Sequence, residues 1–171
     1  MDKYLIKLKD VPPQGLALEI SDQTIWIEPI KEFKLPYKIR QDIKSIIKIQ
    51  VQGNVCMIKG TIEGSLNIPC DRCLEDATVC ISETFKVIEQ PLKKDTLDIS
   101  FIVEKDGELF LDLAGILWER LVLNIPSKIL CSEDCKGLCP YCGANKNIVQ
   151  CNCKKEMVDP RLEVLRKIKI S

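Results

Sequence analysis

Alternation of apolar and polar residues runs through the first two-thirds of the chain and predicts β-strands. It is clearest in three segments rich in β-branched residues, which read IIKIQVQG, VCMIKGTIEGSLNI and ATVCISETFKVI. Such alternation is typical of an antiparallel sheet with one face in solvent. Shorter strands are predicted for KYLIKLKD and for TIWIEPI, which are separated by the turn-prone VPPQG.

The period changes in LDLAGILWERLVLNIP, where a helix is predicted near residues 112–124. Asp112 is a suitable N-cap, and Pro126 closes the segment because proline cannot continue a helix. The apolar residues recur at helical spacing, at Leu113, Ile116, Leu117 and Leu121. We expect this apolar stripe to pack on the sheet.

A shorter helix is predicted at the C-terminus. Asp159 and Pro160 form a good N-cap and first-turn pair. One apolar stripe follows them, formed by Leu162, Leu165 and Ile168. Together the patterns predict an α+β fold. Residues 1–130 are expected to form a β-rich antiparallel body with one helix, and residues 131–171 a cysteine-rich metal-binding tail with the C-terminal helix.

Composition and charge narrow the function classes. The longest uncharged run is Ile49 to Ile58, ten residues, which is too short to span a bilayer. The start, MDKYLIKLKD, lacks the continuous apolar stretch of a signal peptide, so a cytoplasmic location is predicted. Net charge is zero but uneven, at +3 for residues 1–60, −6 for residues 61–130 and +3 for residues 131–171. A local basic patch, not the summed field, would have to bind RNA.

The chain has ten cysteines and no histidine. In a reducing compartment this number indicates metal or thiol chemistry rather than disulfides. Cys56 and Cys80 lie on the alternating segments and are expected to be core residues. The other eight fall into close pairs: Cys70 and Cys73, Cys131 and Cys135, Cys139 and Cys142, Cys151 and Cys153.

The strongest knuckle is CPYCG, in which Pro140 stiffens the turn and Gly143 can take a positive φ. Zinc prefers four ligands in a tetrahedron, and Cys-x-x-Cys supplies two thiolates from one turn. In an extended strand residues two apart face the same side, so CNC could supply the other two. One four-thiolate site is therefore predicted, with the ligands Cys139, Cys142, Cys151 and Cys153.

The remaining pairs suggest a second site that ties the tail to the sheet, with the ligands Cys70, Cys73, Cys131 and Cys135. A rival grouping that is nearer in sequence joins Cys131, Cys135, Cys139 and Cys142. The spacing favours zinc over an iron–sulfur cluster, without excluding iron. The predicted cofactor is thus structural zinc, one or two ions.

No catalytic residue is predicted. Four thiolates close the metal's coordination shell, and the chain has no histidine, no glycine-rich phosphate loop and no Ser/His/Asp set. A thiol-disulfide oxidoreductase is less favoured, because neither Cys-x-x-Cys opens a helix within a βαβ pattern. We expect a non-enzymatic protein without a small-molecule substrate or a membrane partner.

Several motifs occur together, in the order GTIEGSLNIPCDRCLE, LVLNIPSKILC, CSEDCKGLCPYCGANKN, CNC and DPRLEVLRKI. In these motifs and their order the chain resembles the YceD-type family of large-subunit ribosomal RNA accumulation proteins. The resemblance runs from about Gly60 to the C-terminus. The family's cysteine motifs map onto all eight paired cysteines, and Arg72 and Gly143 also fall at motif positions. Lys146 departs from the family, which typically carries leucine there. The resemblance implies a non-enzymatic role in ribosomal RNA accumulation or ribosome assembly.

Two kinds of partner are considered. Ribosomal RNA would be bound by basic residues that flank the knuckles or start the last helix, namely Arg72, Lys136, Lys146, Lys154, Lys155 and Arg161. Alternatively, the protein is an adaptor whose acidic segment, residues 61–130, docks a basic ribosomal protein or another maturation factor. Charge reversal at Glu75, Asp76 and Glu83 would distinguish the two hypotheses.

Overall fold

The computed structural model describes residues 4–91 and 100–153, and within these ranges it has two antiparallel sheets and two α-helices. The predicted β-rich antiparallel fold with a C-terminal cysteine-rich region is confirmed. The predicted C-terminal helix lies outside the described residues.

The larger sheet has four strands in chain order: β2 (Leu16–Ile20), β3 (Lys38–Gln52), β4 (Val55–Pro69) and β5 (Asp76–Glu89). Its long strands pair residue by residue, for example Ile49 with Ile58 and Ile58 with Val87. One face of β3 is buried and the other is exposed, so the predicted wet face is present. The sheet therefore offers one flat surface to solvent.

The smaller sheet has the order β1 (Leu5–Lys7), β7 (Glu108–Asp112) and β6 (Ile102–Lys105). KYLIKLKD thus supplies only a three-residue strand, because a 3₁₀ turn at Leu8–Asp10 follows it directly. A single core joins both sheets with the helices. Within the described ranges, neither α-helix reaches the length and apolar character of a bilayer-spanning helix.

Helix α2 (Leu113–Asn124) confirms the helix predicted near residues 112–124. Asp112 Oδ1 accepts a hydrogen bond from the Gly115 N–H at 3.0 Å, so Asp112 is the N-cap. The predicted apolar stripe is fully buried, at Leu113, Ile116, Leu117 and Leu121. The helix directs the chain from β7 toward the cysteine-rich region.

TIWIEPI forms a helix, α1 (Thr24–Glu32), so the strand predicted there is wrong. The buried residues follow a helical period, at Ile25, Trp26, Pro29 and Ile30. Asp22 Oδ1 accepts hydrogen bonds from the Thr24 N–H and hydroxyl at 3.0 and 2.8 Å. A segment this short fits both periods, and the local hydrogen bonds of Asp22 favour the helix. Within its described residues, the body therefore holds two α-helices where one was predicted.

The two unpaired cysteines differ. Cys56 is fully buried on β4, as predicted, whereas Cys80 is exposed on β5, so the prediction that Cys80 is a core residue is wrong. Cys80 follows Val79 and precedes Ile81, both of which are buried. Because successive side chains alternate across a strand, Cys80 must face solvent.

Candidate metal centres in the cysteine-rich region

Four cysteines from two distant parts of the chain meet beyond the end of the β4–β5 hairpin, and we call Cys70, Cys73, Cys131 and Cys135 the inner tetrad. Their Sγ atoms all lie within 4.8 Å of one another. The Sγ–Sγ distance is 3.8 Å between Cys70 and Cys135 and 3.5 Å between Cys73 and Cys131. Cys131 is exposed and the other three are buried. The structure thus brings together the pairs that the sequence grouped, and not the rival set.

The connection between β4 and β5 builds the first half of the inner tetrad. The Cys70 N–H donates to Glu75 O at 2.8 Å, and the Leu74 N–H donates to Cys70 O at 2.9 Å. Leu74 takes a left-handed conformation, with φ at +64°. The Arg72 N–H donates to Cys70 Sγ at 3.5 Å. The turn therefore closes the hairpin and supplies a backbone donor to one sulfur.

Hydrogen bonds tie the segment after α2 to this turn. The Asp71 N–H donates to Ile129 O at 2.9 Å, and Asp71 Oδ2 accepts from the Ile129 N–H at 2.7 Å. The Leu138 N–H donates to Arg72 O at 2.9 Å. Gly137 permits this close approach, because its φ is +71° and an added Cβ would lie 2.9 Å from Arg72 O. The cysteine-rich region is thus docked by its backbone as well as by its sulfurs.

Arg72 was predicted to contact RNA or a protein partner. Its Nη1 donates to Cys135 O at 2.8 Å and to Glu133 O at 3.1 Å. The side chain thus joins the two halves of the inner tetrad. Arg72 as a whole remains exposed, and a contact with a partner remains a prediction.

The second group, which we call the outer tetrad, comprises Cys139, Cys142, Cys151 and Cys153. Their Sγ atoms also lie within 4.8 Å of one another. The CPYCG knuckle forms as expected: the Cys139 N–H donates to Ala144 O at 2.8 Å, the Gly143 N–H donates to Cys139 O at 2.9 Å, and Gly143 has a φ of +71°. Residues 151–153 form no strand, so the extended strand expected for CNC is wrong. The two thiols nevertheless converge on the knuckle.

Asn147 connects the two tetrads. It lies in the loop between Cys142 and Cys151, yet its Nδ2 donates to Cys135 Sγ at 3.3 Å. Its Oδ1 accepts from the Lys136 N–H at 2.8 Å, which fixes the orientation of the amide. Sequence analysis missed this residue; the signal was its place in the GANKN loop, which links two cysteine pairs.

We expect Asn147→Asp to weaken metal binding by the inner tetrad about 10–100-fold, the usual effect of losing an outer-shell partner. A carboxylate of the same shape cannot donate to Cys135 Sγ and repels its negative charge. The affinity is measured by chelator competition, in which the release of each of the two metal ions is followed separately. Asn54→Asp, in the exposed β3–β4 turn, is the charge-matched control. Equal affinities for both variants would show that Asn147 does not support the site.

Two thiols of the inner tetrad favour the charged form. Burial opposes ionisation of Cys70, but hydrogen bonds from the Arg72 N–H and neighbouring backbone groups outweigh it, so the pKa of the Cys70 thiol falls to about 6. Burial likewise opposes ionisation of Cys135, yet the Asn147 amide and nearby donors lower the pKa of Cys135. These two sulfurs are the most thiolate-like of the set.

The other two thiols of the inner tetrad respond in the opposite direction. The Glu75 N–H favours the thiolate of Cys73, but burial and the neighbouring thiols raise the pKa of Cys73 to about 12. Cys73 favours the Cys131 thiolate, but Cys135 and burial outweigh it, so the pKa of Cys131 is raised. The metal-free tetrad therefore holds some sulfurs as thiolates at the expense of their neighbours.

In the outer tetrad, too, neighbouring thiols have pKa values shifted in opposite directions. The N–H groups of Cys142 and Tyr141 outweigh burial and lower the pKa of Cys139 to about 6. The thiol of Cys142 and burial raise the pKa of Cys153 to about 12, and the thiol of Cys139 raises the pKa of Cys151. Like charges at such separations oppose one another. A divalent cation would remove this conflict and stabilise all four thiolates.

The geometry fits one thiophilic ion in each tetrad. An ion with metal–sulfur bonds of ~2.3 Å in a tetrahedron has sulfur–sulfur edges of ~3.8 Å. Two sulfur–sulfur separations of the inner tetrad are 3.5 and 3.8 Å. An iron–sulfur cluster would spread four thiolates over several iron atoms, so a set within 4.8 Å suits a single ion better. Four thiolates would also fill the coordination shell.

Besides Arg72, which lies at the inner tetrad, two of the predicted basic contacts are described, and both lie near the outer tetrad. Lys136 and Lys146 line a groove of about 470 Å³ together with Tyr141 and Val149. Tyr141 and Val149 are 52% and 54% exposed. The other candidates, Lys154, Lys155 and Arg161, lie outside the described residues.

Comparison with known proteins gives two kinds of match. Residues 58–169 match the profile of the family described as large ribosomal RNA subunit accumulation protein YceD. An uncharacterized protein, YlbN, from Bacillus subtilis is 31% identical over 96% of this chain and 94% of its own length. The large ribosomal RNA subunit accumulation protein YCED homolog 1, chloroplastic, from Arabidopsis thaliana is 24% identical over 60% of this chain and 40% of its own length. No solved structure matches.

Proposed function

This chain belongs to the YceD family, and we propose that it supports the accumulation of large-subunit ribosomal RNA without catalysing a reaction. The observation that carries the proposal is the match of residues 58–169 to a family with that description. Both tetrads lie inside the matched range. We assign the protein to the cytoplasm, where thiols stay reduced and ribosomes are assembled.

We propose that each tetrad holds a structural zinc ion. Zinc suits a tetrahedron of four thiolates and brings no redox chemistry of its own. A closed shell leaves no position for water or substrate, and the chain has no histidine to act as general base. The residues thus support a scaffolding role, in which the inner ion fixes residues 131–135 to the hairpin turn at residues 70–73.

Support for direct contact with RNA comes from the charge around the outer tetrad. Lys136 and Lys146 lie in one groove beside exposed Tyr141, a combination that suits phosphate contact next to base stacking. Lys154, Lys155 and Arg161 follow closely in sequence and extend the same basic segment. We propose that this surface binds the ribosomal RNA backbone, with the affinity falling as salt rises.

The adaptor hypothesis receives less support from the acidic residues that it requires. Asp76 pairs with Lys38 at 3.4 Å, and Glu75 Oε1 accepts from the Asn145 amide at 3.4 Å. Glu83 is only partly exposed, and its Oε2 is buried without a partner among the described residues. These carboxylates therefore do not form one free acidic surface.

The function is tested in cells that lack this protein. We expect the ratio of large-subunit to small-subunit ribosomal RNA to fall at least about twofold, and we expect wild-type protein to restore it. Cys73→Ser should fail to restore the ratio, because the inner ion holds the tail in place. Cys80→Ser, an exposed cysteine outside both tetrads, is the control and should restore it. An unchanged ratio in the deletion strain would contradict the proposed function.

A further inference from the structure

The register of the larger sheet aligns three lysines in one row across three strands. Lys48 on β3 lies directly opposite Lys59 on β4, which lies directly opposite Lys86 on β5. All three are exposed on the solvent face of the sheet. They are far apart in sequence, so only the strand pairing brings them together. We call Lys48, Lys59 and Lys86 the lysine row.

Like charges directly opposite one another destabilise a sheet. Other lysines on the long strands have acidic neighbours: Lys38 pairs with Asp76 at 3.4 Å, and Lys44 lies opposite Glu63. Among the described residues no acid lies directly opposite a lysine of the row: the residue opposite Lys48 on β2 is Ala17, and Glu19 lies diagonally, opposite Ile46. Among the described residues, none of the three lysines forms an ion pair. The row therefore does not serve the stability of the free sheet.

The surroundings of the row suit a nucleic-acid backbone. The three lysines line a shallow depression of about 640 Å³ together with Thr61 and Thr84, and its remaining lining is apolar, including Ala17, Ile46 and Phe85. Ile46, 63% exposed, lies opposite Thr61 in the adjacent row. Ammonium and hydroxyl groups contact phosphate and sugar without reading sequence. Among the described residues, the aromatic residue in the depression is Phe85, which is buried, so phosphate contacts rather than base stacking are expected there.

We propose that the lysine row binds the phosphate backbone of ribosomal RNA. This inference rests on the proposed function and adds a second contact surface to it. Lys59 is eleven residues from Cys70 along the chain, which corresponds to roughly 36 Å in an extended strand. The row is therefore separate from the basic groove beside the outer tetrad. A single RNA that reaches both would lie along the long axis of the sheet.

The test compares two triple variants that remove the same charge. K48Q/K59Q/K86Q removes the row, whereas K9Q/K38Q/K44Q removes three exposed lysines that lie beside or opposite acids. Binding of a fluorescent large-subunit ribosomal RNA fragment is followed by anisotropy over a salt series. We expect the row variant to lose at least about tenfold in affinity at low salt and to flatten the log–log salt slope by about 2 to 3, since each phosphate contact contributes about 0.7–0.9. The control should change the slope by less than about one.

A second measurement on the wild-type protein does not depend on any variant. Lysine acylation followed by mass spectrometry should show protection of the lysine row by RNA, relative to Lys9 and Lys38.

The thermal midpoint of K48Q/K59Q/K86Q is expected to rise, because two like-charge contacts are lost.

The outcomes separate the inference from the function on which it rests. RNA binding by the row variant with wild-type affinity and slope, and unprotected row lysines, would overturn the inference and leave the proposed function intact. Loss of large-subunit RNA in cells without RNA binding by the purified protein would overturn both the lysine row and the basic groove as RNA contacts, and would leave the role in ribosomal RNA accumulation intact. Preferential binding of anionic phosphatidylglycerol vesicles or of an acidic polypeptide by the row would also overturn it.

Discussion

Cys73→Ser is expected to release one metal ion per chain and to loosen the attachment of the cysteine-rich region to the sheet. Cys73 is only 3% exposed, and its Sγ lies 3.5 Å from Cys131 Sγ, at the centre of the inner tetrad. A serine hydroxyl does not ionise at neutral pH and cannot replace a thiolate. Structural zinc contributes about 10–16 kcal/mol of apparent binding free energy in zinc-finger peptides. Loss of the ion should therefore loosen the attachment, even though the backbone hydrogen bonds remain.

The measurement is elemental analysis of anaerobically purified protein together with limited proteolysis. We expect two zinc ions per chain in the wild type and one in Cys73→Ser, with new cleavage between residues 126 and 138. Far-ultraviolet circular dichroism should show that the sheet persists, because its core does not include the tetrad. Cys80→Ser is the matched control and should keep both ions. Two ions in Cys73→Ser would contradict the assignment of the inner tetrad, and iron in place of zinc would change the class of the site.

This result would show that the inner tetrad is the joint between the sheet and the cysteine-rich region. Its ligands come from a hairpin turn and from a segment about sixty residues later in the chain. A metal that closes so long a loop stabilises the fold by restricting the unfolded chain, as a disulfide does. It does so without oxidation, which suits a reducing compartment. The outer tetrad, by contrast, is closed within fifteen residues, from Cys139 to Cys153.

Local patterns predicted the parts of the fold that local forces determine. Helix α2 followed from a cap and an apolar stripe, and its buried face is the predicted one. The prediction for TIWIEPI was wrong, because seven residues do not distinguish the two periods and the hydrogen bonds from Thr24 to Asp22 were not foreseen. The prediction that Cys80 is buried was wrong because its strand was recognised but the face on which it lies was not. A shift of one residue reverses the face.

The candidate site likewise has some features that local sequence predicts and others that it does not. Pair spacing was enough to suggest the two tetrads, since each pair needs only a tight turn to present two thiols. Asn147 and the lysine row could not be found by spacing. Asn147 reaches Cys135 only because the loop between the outer cysteines folds back on the inner tetrad. The row exists only in the register that pairs β3 with β4 and β4 with β5. Both are products of tertiary structure.

The metal affinity of the inner tetrad is expected to fall about a hundredfold when the pH is lowered from 8 to 7. Protons and the ion compete for the same sulfur atoms. In the metal-free protein the pKa of Cys73 is raised to about 12 and that of Cys131 is also raised, so both are protonated in this range. The pKa of Cys70 is lowered to about 6, so Cys70 is largely a thiolate, and the pKa of Cys135 is also lowered, so Cys135 loses its proton more readily than an ordinary cysteine. Binding must therefore release at least about two protons per ion.

These pKa shifts determine the direction in which metal affinity changes with pH and the pH range of that change. Because the bound form has fewer protons than the free form, affinity rises with pH, and the dependence persists up to the raised pKa of Cys73, about 12. Below the pKa of Cys70, about 6, the dependence steepens as further sulfurs take up protons. Zinc is titrated into the reduced, metal-free Cys142→Ser variant, which isolates the inner tetrad, and proton release is read with a pH indicator in weak buffer. An affinity independent of pH would exclude thiolate ligands, whereas release of four protons per ion would show that Cys70 is not held ionised in the metal-free protein.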